Sequence, residues 1–309
     1  MLYSNILQAI GNTPLIELKS FKRKGMATIY AKAEFLNVGG SIKTRTAYQM
    51  ILDAKRRGLI NKKSVIVEVS SGNQGIGIAL VGAVLGLKVV IVVPDSVSAE
   101  RVKLIKHYGA SVVKIKDYGD IGDAIKRCEQ YANNLKNENS RVFMSNQFAN
   151  PVNAITHEEI TAREIIADLN GDVDGLCVGV GSGGTITGIG RAIKRLNPRS
   201  QVWAVEPKNA KILFEKGKIT SHIQMGIGDG IIPTILDRSI ISGVVTVSDE
   251  DAVKMARRLA VKEGLACGIS SGSNLCGAVA LARRLGAGKK VVTILPDGAE
   301  RYFSTPLFE

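Results

Sequence analysis

The sequence predicts an α/β protein made of two three-layer domains, each with a mainly parallel central sheet. Short runs rich in β-branched residues alternate with amphipathic stretches of helical length along the 309-residue chain. The strand runs are almost continuously apolar, which is typical of parallel sheets that helices cover on both faces. Three glycine-rich turns lie where helices should begin, the usual place of ligand sites in such folds. A chain of this length can bury the cores of two closely packed domains.

Six strands are predicted, at residues 65–69, 88–93, 111–115, 175–179, 201–205 and 290–295. The first two lead into helical patterns at about 75–85 and 98–108, as crossovers between parallel strands require. Near 141–150 a charged region gives way to a polar turn that contains proline, which suggests a boundary. We therefore expect a smaller, mobile domain over 40–145 and a larger domain over 1–39 and 146–309, with a cleft between them.

The composition is that of a soluble globular protein, with 45% hydrophobic and 22% charged residues. No stretch approaches the roughly 20 apolar residues that a membrane span needs. The N-terminus lacks a basic segment followed by an apolar run, so we expect no signal peptide. The expectation is a cytoplasmic protein without a membrane partner.

The net charge of +13 leaves two interpretations open. Lysine and arginine attract the phosphates of nucleic acids regardless of base sequence. The basic residues are dispersed, however, with only short clusters such as those at 22–24 and 55–57, and aromatic residues at 5% are too few for a base-stacking platform. We therefore expect no nucleic-acid partner and a solvated basic surface that helps to draw in anionic ligands.

The cysteine and histidine patterns argue against a metal site and against a disulfide framework. The four cysteines lie in apolar segments with irregular spacing, and none forms a CxxC pair. The three histidines are scattered along the chain. The sequence thus predicts no metal and free, buried thiols.

The first glycine-rich turn spans residues 70–75 (Ser-Ser-Gly-Asn-Gln-Gly), directly after the first predicted strand. Glycines let the backbone approach a ligand, and the free N–H groups of a helix start attract an anion. The serine hydroxyls and Asn73 add polar contacts. This turn would suit a carboxylate or a phosphate, although helix capping alone is a structural alternative.

The second turn, residues 181–185 (Gly-Ser-Gly-Gly-Thr), allows two interpretations. Successive N–H groups and the Thr185 hydroxyl would hold a phosphate monoester. Gly179, Gly181 and Gly184 equally satisfy the GxGxxG spacing of a dinucleotide-binding fold. Glu206 then stands close to the expected place of the ribose-binding acid. Local residues alone do not separate these two interpretations.

Two further segments carry chemistry. The third turn, residues 268–273 (Gly-Ile-Ser-Ser-Gly-Ser), opens another helix, which Ser270 or Ser271 could simply cap. Lys43 follows a Gly-Gly-Ser turn and has apolar neighbours, so that partial burial would let it lose its charge easily. A neutral lysine amine is suited to forming a Schiff base. Most lysines are solvated surface residues, so this position alone is not decisive.

The ordered set of motifs resembles the cysteine synthase (O-acetylserine sulfhydrylase) family of fold-type II pyridoxal-phosphate (PLP) enzymes. The resemblance runs essentially end to end, through residues 10–15, 41–43, 71–73, 146–148, 181–185, 226–228, 268–272 and 295–302. It favours PLP over a dinucleotide as the cofactor. It also implies a tryptophan synthase β-like fold with PLP in the cleft between the two domains.

The resemblance implies roles for individual residues. Lys43 would carry the cofactor and act as the base that moves the α-proton. Asn73 would hydrogen-bond the 3′-oxygen of PLP, and Ser270, preferred to Ser271, would face its pyridine nitrogen. The cofactor phosphate would lie in the turn formed by Gly181, Ser182, Gly183, Gly184 and Thr185. The substrate carboxylate would be bound by Ser70, Ser71, Gly72, Gln74 and Gln147.

A serine opposite the pyridine nitrogen has a chemical consequence. A neutral hydroxyl does not hold the nitrogen protonated, so the ring is a weaker electron sink and prompt loss of a β-leaving group is favoured. The resemblance implies β-elimination from an activated serine and then addition of a nucleophile at the β-carbon, in a ping-pong sequence. The implied partners are a small amino acid, sulfide or another small nucleophile, and a second copy of the chain in a homodimer. Serine acetyltransferase is a further candidate partner.

The chain departs from the family pattern at three places. Many relatives have an aromatic or Pro-Ser-containing turn at 38–40, and most have Thr-Ser-Gly-Asn-Thr at 70–74. They usually have a small residue where Asp229 follows Gly-Ile-Gly in this chain. Asp229 is either a turn aspartate, which tolerates unusual backbone angles, or a carboxylate at the cleft that orients or deprotonates water, a thiol or an ammonium group.

Several functional hypotheses follow. The leading one is synthesis of L-cysteine from O-acetyl-L-serine, or O-phosphoserine, and sulfide. In the close alternative, Asp229 is the base of a cysteine lyase that releases hydrogen sulfide and adds water to give L-serine, or the chain is a β-replacement synthase with another nucleophile. A carboxylate at 229 would repel sulfide anion, which counts against the leading hypothesis. A NAD-dependent dehydrogenase and a non-catalytic binding protein are the alternatives from other classes, and intact Lys43 and Asn73 argue against the latter.

Overall fold

The structure of the chain is a computed structural model that describes residues 2–70, 72–118, 121–213 and 220–309. Its helices and strands are, in chain order, β1 Leu15–Glu17, β2 Thr28–Ala33, α1 Lys43–Arg56, β3 Val65–Val69, α2 Asn73–Leu85, β4 Lys88–Pro94, α3 Ala99–His107, β5 Ser111–Ile115, α4 Ile121–Glu138, β6 Val142–Met144, α5 Val152–Thr156, α6 Ala162–Asp168, β7 Gly175–Gly179, α7 Gly184–Leu196, β8 Gln201–Pro207, β9 Gly243–Val247, α8 Asp249–Glu263, α9 Ile269–Leu285 and β10 Lys290–Leu295. A π-helical segment, His157–Thr161, joins α5 to α6.

The strands form two sheets. The larger has the order β1-β2-β10-β7-β8-β9, and only its edge pair, β1 with β2, is antiparallel. The smaller has the order β5-β4-β3-β6 and is parallel throughout. The predicted α/β class with mainly parallel sheets is confirmed.

Each sheet is covered on both faces by apolar side chains, which makes three layers. In β7, Leu176 packs with residues of α7, whereas its neighbour Cys177 packs on the opposite face with α8 and α9. In β3, Ile66 packs towards α2 and Val67 towards α4. Because successive residues of a strand point to opposite faces, both must be apolar here. This explains why these strands read as unbroken apolar runs.

Four strands of the described part of the chain are missing from the sequence-based prediction. Strands β1 and β6 have three residues each, too few to show a periodic pattern. The apolar run of β2 is interrupted by Lys32, whose charge is buried in an ion pair. Strand β9 lies at the edge of its sheet and is mostly half-buried.

The predicted boundary near 141–150 contains β6, which pairs with β3, so the chain leaves the smaller sheet only after Met144. The domain limits, 40–145 against 1–39 and 146–309, stay a prediction. In the described part of the chain, no helix is both long and apolar enough to cross a membrane.

Candidate active site

Most of the predicted cofactor residues line one cavity, the first cavity. Its lining includes Lys43, Asn73, Gly181, Ser182, Gly183, Thr185 and Ser270. A second cavity shares some of these residues and is lined also by Ser70, Gly72, Gln74, Arg101, Gln147 and Asp229. Lys43 lies in the lining of both. The structure therefore places the three glycine-rich turns and the lysine around one connected cleft.

Lys43 is the first residue of α1, and its side chain is half-buried in the cleft. Its Nζ donates to Ser182 Oγ over 3.4 Å. Burial lowers the pKa of the Lys43 amine, and the carboxylates of Asp229, Asp297 and Glu68 oppose that shift only in part. The amine thus gives up its proton more readily than a surface lysine, as a nucleophile or base must.

The second turn is held in shape by close packing. A Cβ on Gly181 would lie 2.2 Å from the carbonyl oxygen of Gly226, and one on Gly184 would lie 2.0 Å from Asn153 Oδ1. Helix α7 begins at Gly184, so the N–H groups of its first turn have no partners within the helix. Together with the Thr185 hydroxyl, they fit a phosphate group. Gly184 is the one member of the predicted phosphate turn outside the lining of the first cavity.

A buried histidine contacts the second turn through Thr185. His157 Nε2 lies 3.3 Å from Thr185 Oγ1, and its Nδ1 lies 3.0 Å from Thr161 Oγ1. Burial and the nearby charges of Lys43 and Arg45 hold the pKa of His157 well below its usual value. The ring is therefore neutral and fixes the position of the Thr185 hydroxyl. A lone histidine in a helical stretch gives no signal of such a contact in the sequence.

The amide of Asn73 is oriented by the segment that follows β10. Its Nδ2 donates to Asp297 Oδ2 over 2.6 Å, and Arg301 Nε donates to its Oδ1 over 2.9 Å. Tyr302 donates to the same Asp297 oxygen over 2.8 Å. These partners stand more than 200 positions away in the chain, and the sequence assigned them no role.

In the third turn, the structure distinguishes the two serines. Ser270 lines the first cavity, although it is 3% exposed. Ser271 is fully buried, lies outside that lining, and its hydroxyl has no hydrogen-bond partner among the described residues. This arrangement favours Ser270 as the serine that meets a ligand.

The first turn is shaped by Ser70. Its Oγ accepts the N–H groups of Gly72 over 3.1 Å and of Gly75 over 3.0 Å, so it stabilises the turn and the start of α2. The hydroxyl proton remains available to an acceptor in the second cavity. Ser71, also predicted to bind the substrate carboxylate, lies outside the described residues.

Two glutamines complete the polar lining of the second cavity. Gln74 Oε1 accepts from Thr46 Oγ1 over 2.9 Å, while its buried Nε2 has no partner among the described residues. Gln147 Nε2 makes only a long contact, 3.4 Å, with the carbonyl of Val69. Buried amide donors without a strong acceptor favour a ligand that supplies one, such as a carboxylate.

Asp229 lies in a glycine-rich turn and lines the second cavity with Lys43. The left-handed angles of this turn belong to Gly226, Gly228 and Gly230, and Asp229 itself has no positive φ. Turn formation therefore does not require an aspartate at 229. Burial raises the pKa of the Asp229 carboxyl, opposed by the charges of Lys43 and His222. A proton can thus be held or released at Asp229 nearer to neutral pH than at a surface aspartate.

Glu68 in β3 is a buried carboxyl beside this cleft that sequence reasoning missed. It is 1% exposed and accepts from Ser145 Oγ. Burial raises its pKa to about 7, more than its hydrogen bonds and Lys43 lower it. The folded state therefore keeps a proton on Glu68 that the unfolded chain releases near pH 4.5.

The raised pKa of Glu68 predicts a loss of stability as pH rises from about 4.5 to about 7, and no further loss above that range. In Glu68→Gln, this loss, about 3 kcal/mol, should disappear. Urea unfolding at pH 5 and pH 8, at a fixed cofactor concentration, measures it against the exposed control Glu138→Gln. Equal pH profiles for Glu68→Gln and the unmodified chain would contradict the assignment.

The dinucleotide interpretation has no support in the structure. Glu206 is 4% exposed, and its Oε2 accepts the N–H groups of Ile212 and Leu213 over 3.1 and 3.2 Å. This carboxylate is used to hold its own loop and is not free for a ribose. In the described ranges, no group of three or more His, Cys, Asp or Glu residues is placed to hold a metal ion.

Comparisons with known proteins agree with the geometry of the cleft. Residues 6–297 match the family model described as pyridoxal-phosphate dependent enzyme. The chain is 40% identical over 305 residues to a cysteine synthase of Staphylococcus aureus, covering 98% of this chain and 96% of that protein.

Two solved structures are also similar. A hydrogen sulfide-producing enzyme from Fusobacterium nucleatum has a TM-score of 0.91 and 37% identity, covering 97% of this chain and 100% of that chain. An O-ureido-L-serine synthase has a TM-score of 0.92 and 38% identity, covering 100% of this chain and 96% of that chain.

Proposed function

Because the chain belongs to the family of pyridoxal-phosphate-dependent enzymes, we propose that it makes L-cysteine from O-acetyl-L-serine, or O-phosphoserine, and sulfide. The predicted cofactor, PLP, and the predicted enzyme class, the cysteine synthase type, are confirmed by the relatives. The relatives also support β-replacement on serine derivatives as the general reaction. The observation that carries the finer proposal is the 40% identity to a cysteine synthase along 98% of the chain.

The residues of the first cavity fit PLP. The Gly181–Gly184 backbone and Thr185 would hold its phosphate, because a helix start and closely packed glycines offer N–H groups without side chains in the way. Lys43 would attach the cofactor, and Asn73 and Ser270 would bind its ring. When bound, PLP supplies an electron sink that stabilises negative charge on the substrate α-carbon.

The other residues of the cleft would position the substrate and move protons. Ser70, Gln74 and Gln147 would donate to the substrate carboxylate from one wall of the second cavity. Lys43 Nζ, whose pKa is lowered by burial, would take the α-proton. Since both cavities meet at Lys43, its amine serves the cofactor and the substrate from one position.

A specific observation favours a second candidate function. The carboxyl of Asp229 lines the second cavity with Lys43, and its pKa is raised by burial. It would be a base for water at the β-carbon in a cysteine lyase that forms L-serine and hydrogen sulfide. One similar structure is that of a hydrogen sulfide-producing enzyme, and another is that of an O-ureido-L-serine synthase. A β-replacement synthase with a different nucleophile belongs to the same group of alternatives.

Product analysis of the PLP-loaded enzyme separates these functions. We expect L-cysteine to form from sulfide with O-acetyl-L-serine or O-phosphoserine, and the two rates identify the leaving group. In Asp229→Asn, the synthase should keep or gain activity because a charge that repels sulfide anion is removed. In a lyase, the same change should reduce sulfide release from L-cysteine by about 10²-fold or more.

Asp53→Asn, a change on the outer face of α1, is the control for Asp229→Asn. Absence of L-cysteine from every activated serine would end the synthase proposal. Unchanged release of sulfide and serine from L-cysteine by Asp229→Asn would end the lyase alternative. The homodimer, serine acetyltransferase as a partner, and the cytoplasmic location stay predictions.

A further inference from the structure

The second cavity contains an arginine that neither the sequence motifs nor the proposed reaction uses. Arg101 in α3 is 2% exposed, yet it lines this cavity together with Gly72, Gln74 and Gln147. The groups proposed to donate to the substrate carboxylate are the Ser70 hydroxyl and the amides of Gln74 and Gln147, all of them neutral. Arg101 is thus a permanent positive charge beside an otherwise neutral carboxylate site.

No carboxylate pairs with Arg101 among the described residues. Within the described ranges its buried Nε has no hydrogen-bond partner, and its Nη1 contacts Ser98 Oγ, over 3.4 Å, and the sulfur of Met225. The guanidinium lies 5.0 Å from the centre of the Tyr302 ring. A buried charge without a counter-ion is costly, and a cation–π contact offsets only part of that cost. We therefore expect an anionic ligand group to bind beside this guanidinium.

The guanidinium lies directly against the first glycine-rich turn. A Cβ on Gly72 would be 2.8 Å from both Cδ and Nε of Arg101, so a larger residue at 72 would require the Arg101 side chain to move. Elsewhere in the chain, Arg45 binds the carboxylate of Glu34 through the same Nε and Nη2 edge. In Arg101, Nε and Nη2 have no hydrogen-bond partner among the described residues, so that edge remains unused.

We propose that Arg101 supplies the positive charge that binds the α-carboxylate of the amino-acid substrate. The inference rests on the proposal that Ser70, Gln74 and Gln147 form the carboxylate site in the second cavity. Neutral donors fix the orientation of the carboxylate, whereas Arg101 beneath Gly72 compensates its charge. The same charge selects amino acids over amines or amides that lack a carboxylate.

Ligand binding to the PLP-loaded enzyme tests this role without turnover. L-alanine and L-alaninamide share the amine and the β-carbon but differ in the carboxylate charge, and neither has a leaving group. Both are titrated while the absorbance of the bound cofactor is followed. Arg101→Met should raise the Kd of L-alanine about tenfold and leave that of L-alaninamide within about twofold. For Arg101→Lys, the Kd of L-alanine should lie between those of Arg101→Met and the unmodified enzyme.

Arg127→Met is a matched control. Among the described residues, Nε and Nη2 of Arg127 likewise have no hydrogen-bond partner, and the guanidinium lies 4.7 Å from the centre of the Tyr118 ring. Unlike Arg101, Arg127 is paired with a carboxylate, that of Asp123, and it lines neither cavity. The Arg127→Met variant should bind L-alanine and L-alaninamide with the same affinities as the unmodified enzyme. If Arg101→Met does not fold, Arg101→Gln makes the same comparison with less loss of packing.

Three outcomes would overturn the inference. If Arg101→Met loses affinity equally for L-alanine and L-alaninamide, Arg101 has only a structural role. If both affinities are unchanged, Arg101 has no role in binding. If the unmodified enzyme does not prefer L-alanine to L-alaninamide, the carboxylate site itself is wrong. None of these readouts depends on whether the enzyme makes or breaks L-cysteine, so failure of the proposed function is recognised separately.

Discussion

Lys43→Met should bring turnover down by about 10³-fold or more and abolish covalent attachment of PLP. Methionine keeps the length and apolar stem of the side chain, so the walls of both cavities remain filled. The change removes an amine that lines both cavities, and with it both the attachment point and the proposed α-proton base. Loss of two functions at one atom is the reason for the large expected effect.

Borohydride reduction followed by mass measurement reads the attachment directly. The unmodified chain should retain the mass of the reduced cofactor on the peptide that contains Lys43, and Lys43→Met should retain none. Lys55→Met is the control, because Lys55 is exposed at the other end of the same helix. Attachment of PLP to a different lysine would show that Lys43 is not the attachment point, and turnover within tenfold of the unmodified rate would show that it is not the required base.

The parts of the cleft that could be predicted from the sequence are the local ones. A glycine-rich turn at the start of a helix has its own signature within a few residues, and three such turns were found in this way, whereas the role of Lys43 came from the resemblance to the family. Parallel sheets bring their ends together, so these turns meet although they are far apart in the chain. The fold class followed from the same regularity, since sheets buried on both faces require apolar strands.

The remaining parts depend on contacts between distant residues, which have no local signature. Asp297 orients Asn73 across 224 positions, and Arg101 meets Gly72 from a different helix. Arg101 looks like an ordinary surface charge in the sequence, because a single charged residue usually lies in solvent. Asp297 belongs to the motif at 295–302, but the motif does not show that it contacts Asn73. The order of the strands is equally hidden, since β2 pairs with β10, from the opposite end of the chain.

Arg45 is the clearest example of such a hidden contact, and it lies two residues after Lys43. It is 1% exposed and binds Glu34 through Nε and Nη2, each over 2.8 Å, and Glu164 through Nη1 and Nη2, each over 2.6 Å. Lys32 adds a second cation to Glu164 over 2.9 Å. The network ties the start of α1 to two other parts of the chain and thereby fixes the position of Lys43.

Removing one partner from a buried network of this kind leaves the other charges without compensation. Arg45→Met should therefore lower the free energy of unfolding by about 3–5 kcal/mol, because Glu34 would be a buried, unpaired carboxylate. The matched control is Arg57→Met, which breaks the exposed ion pair with Asp53 just past the end of α1 and should cost about 0.5 kcal/mol. Denaturant unfolding of both variants measures the difference. If both variants lose the same small amount of unfolding free energy, water reaches the Arg45 network and burial of its charges does not determine its contribution to stability.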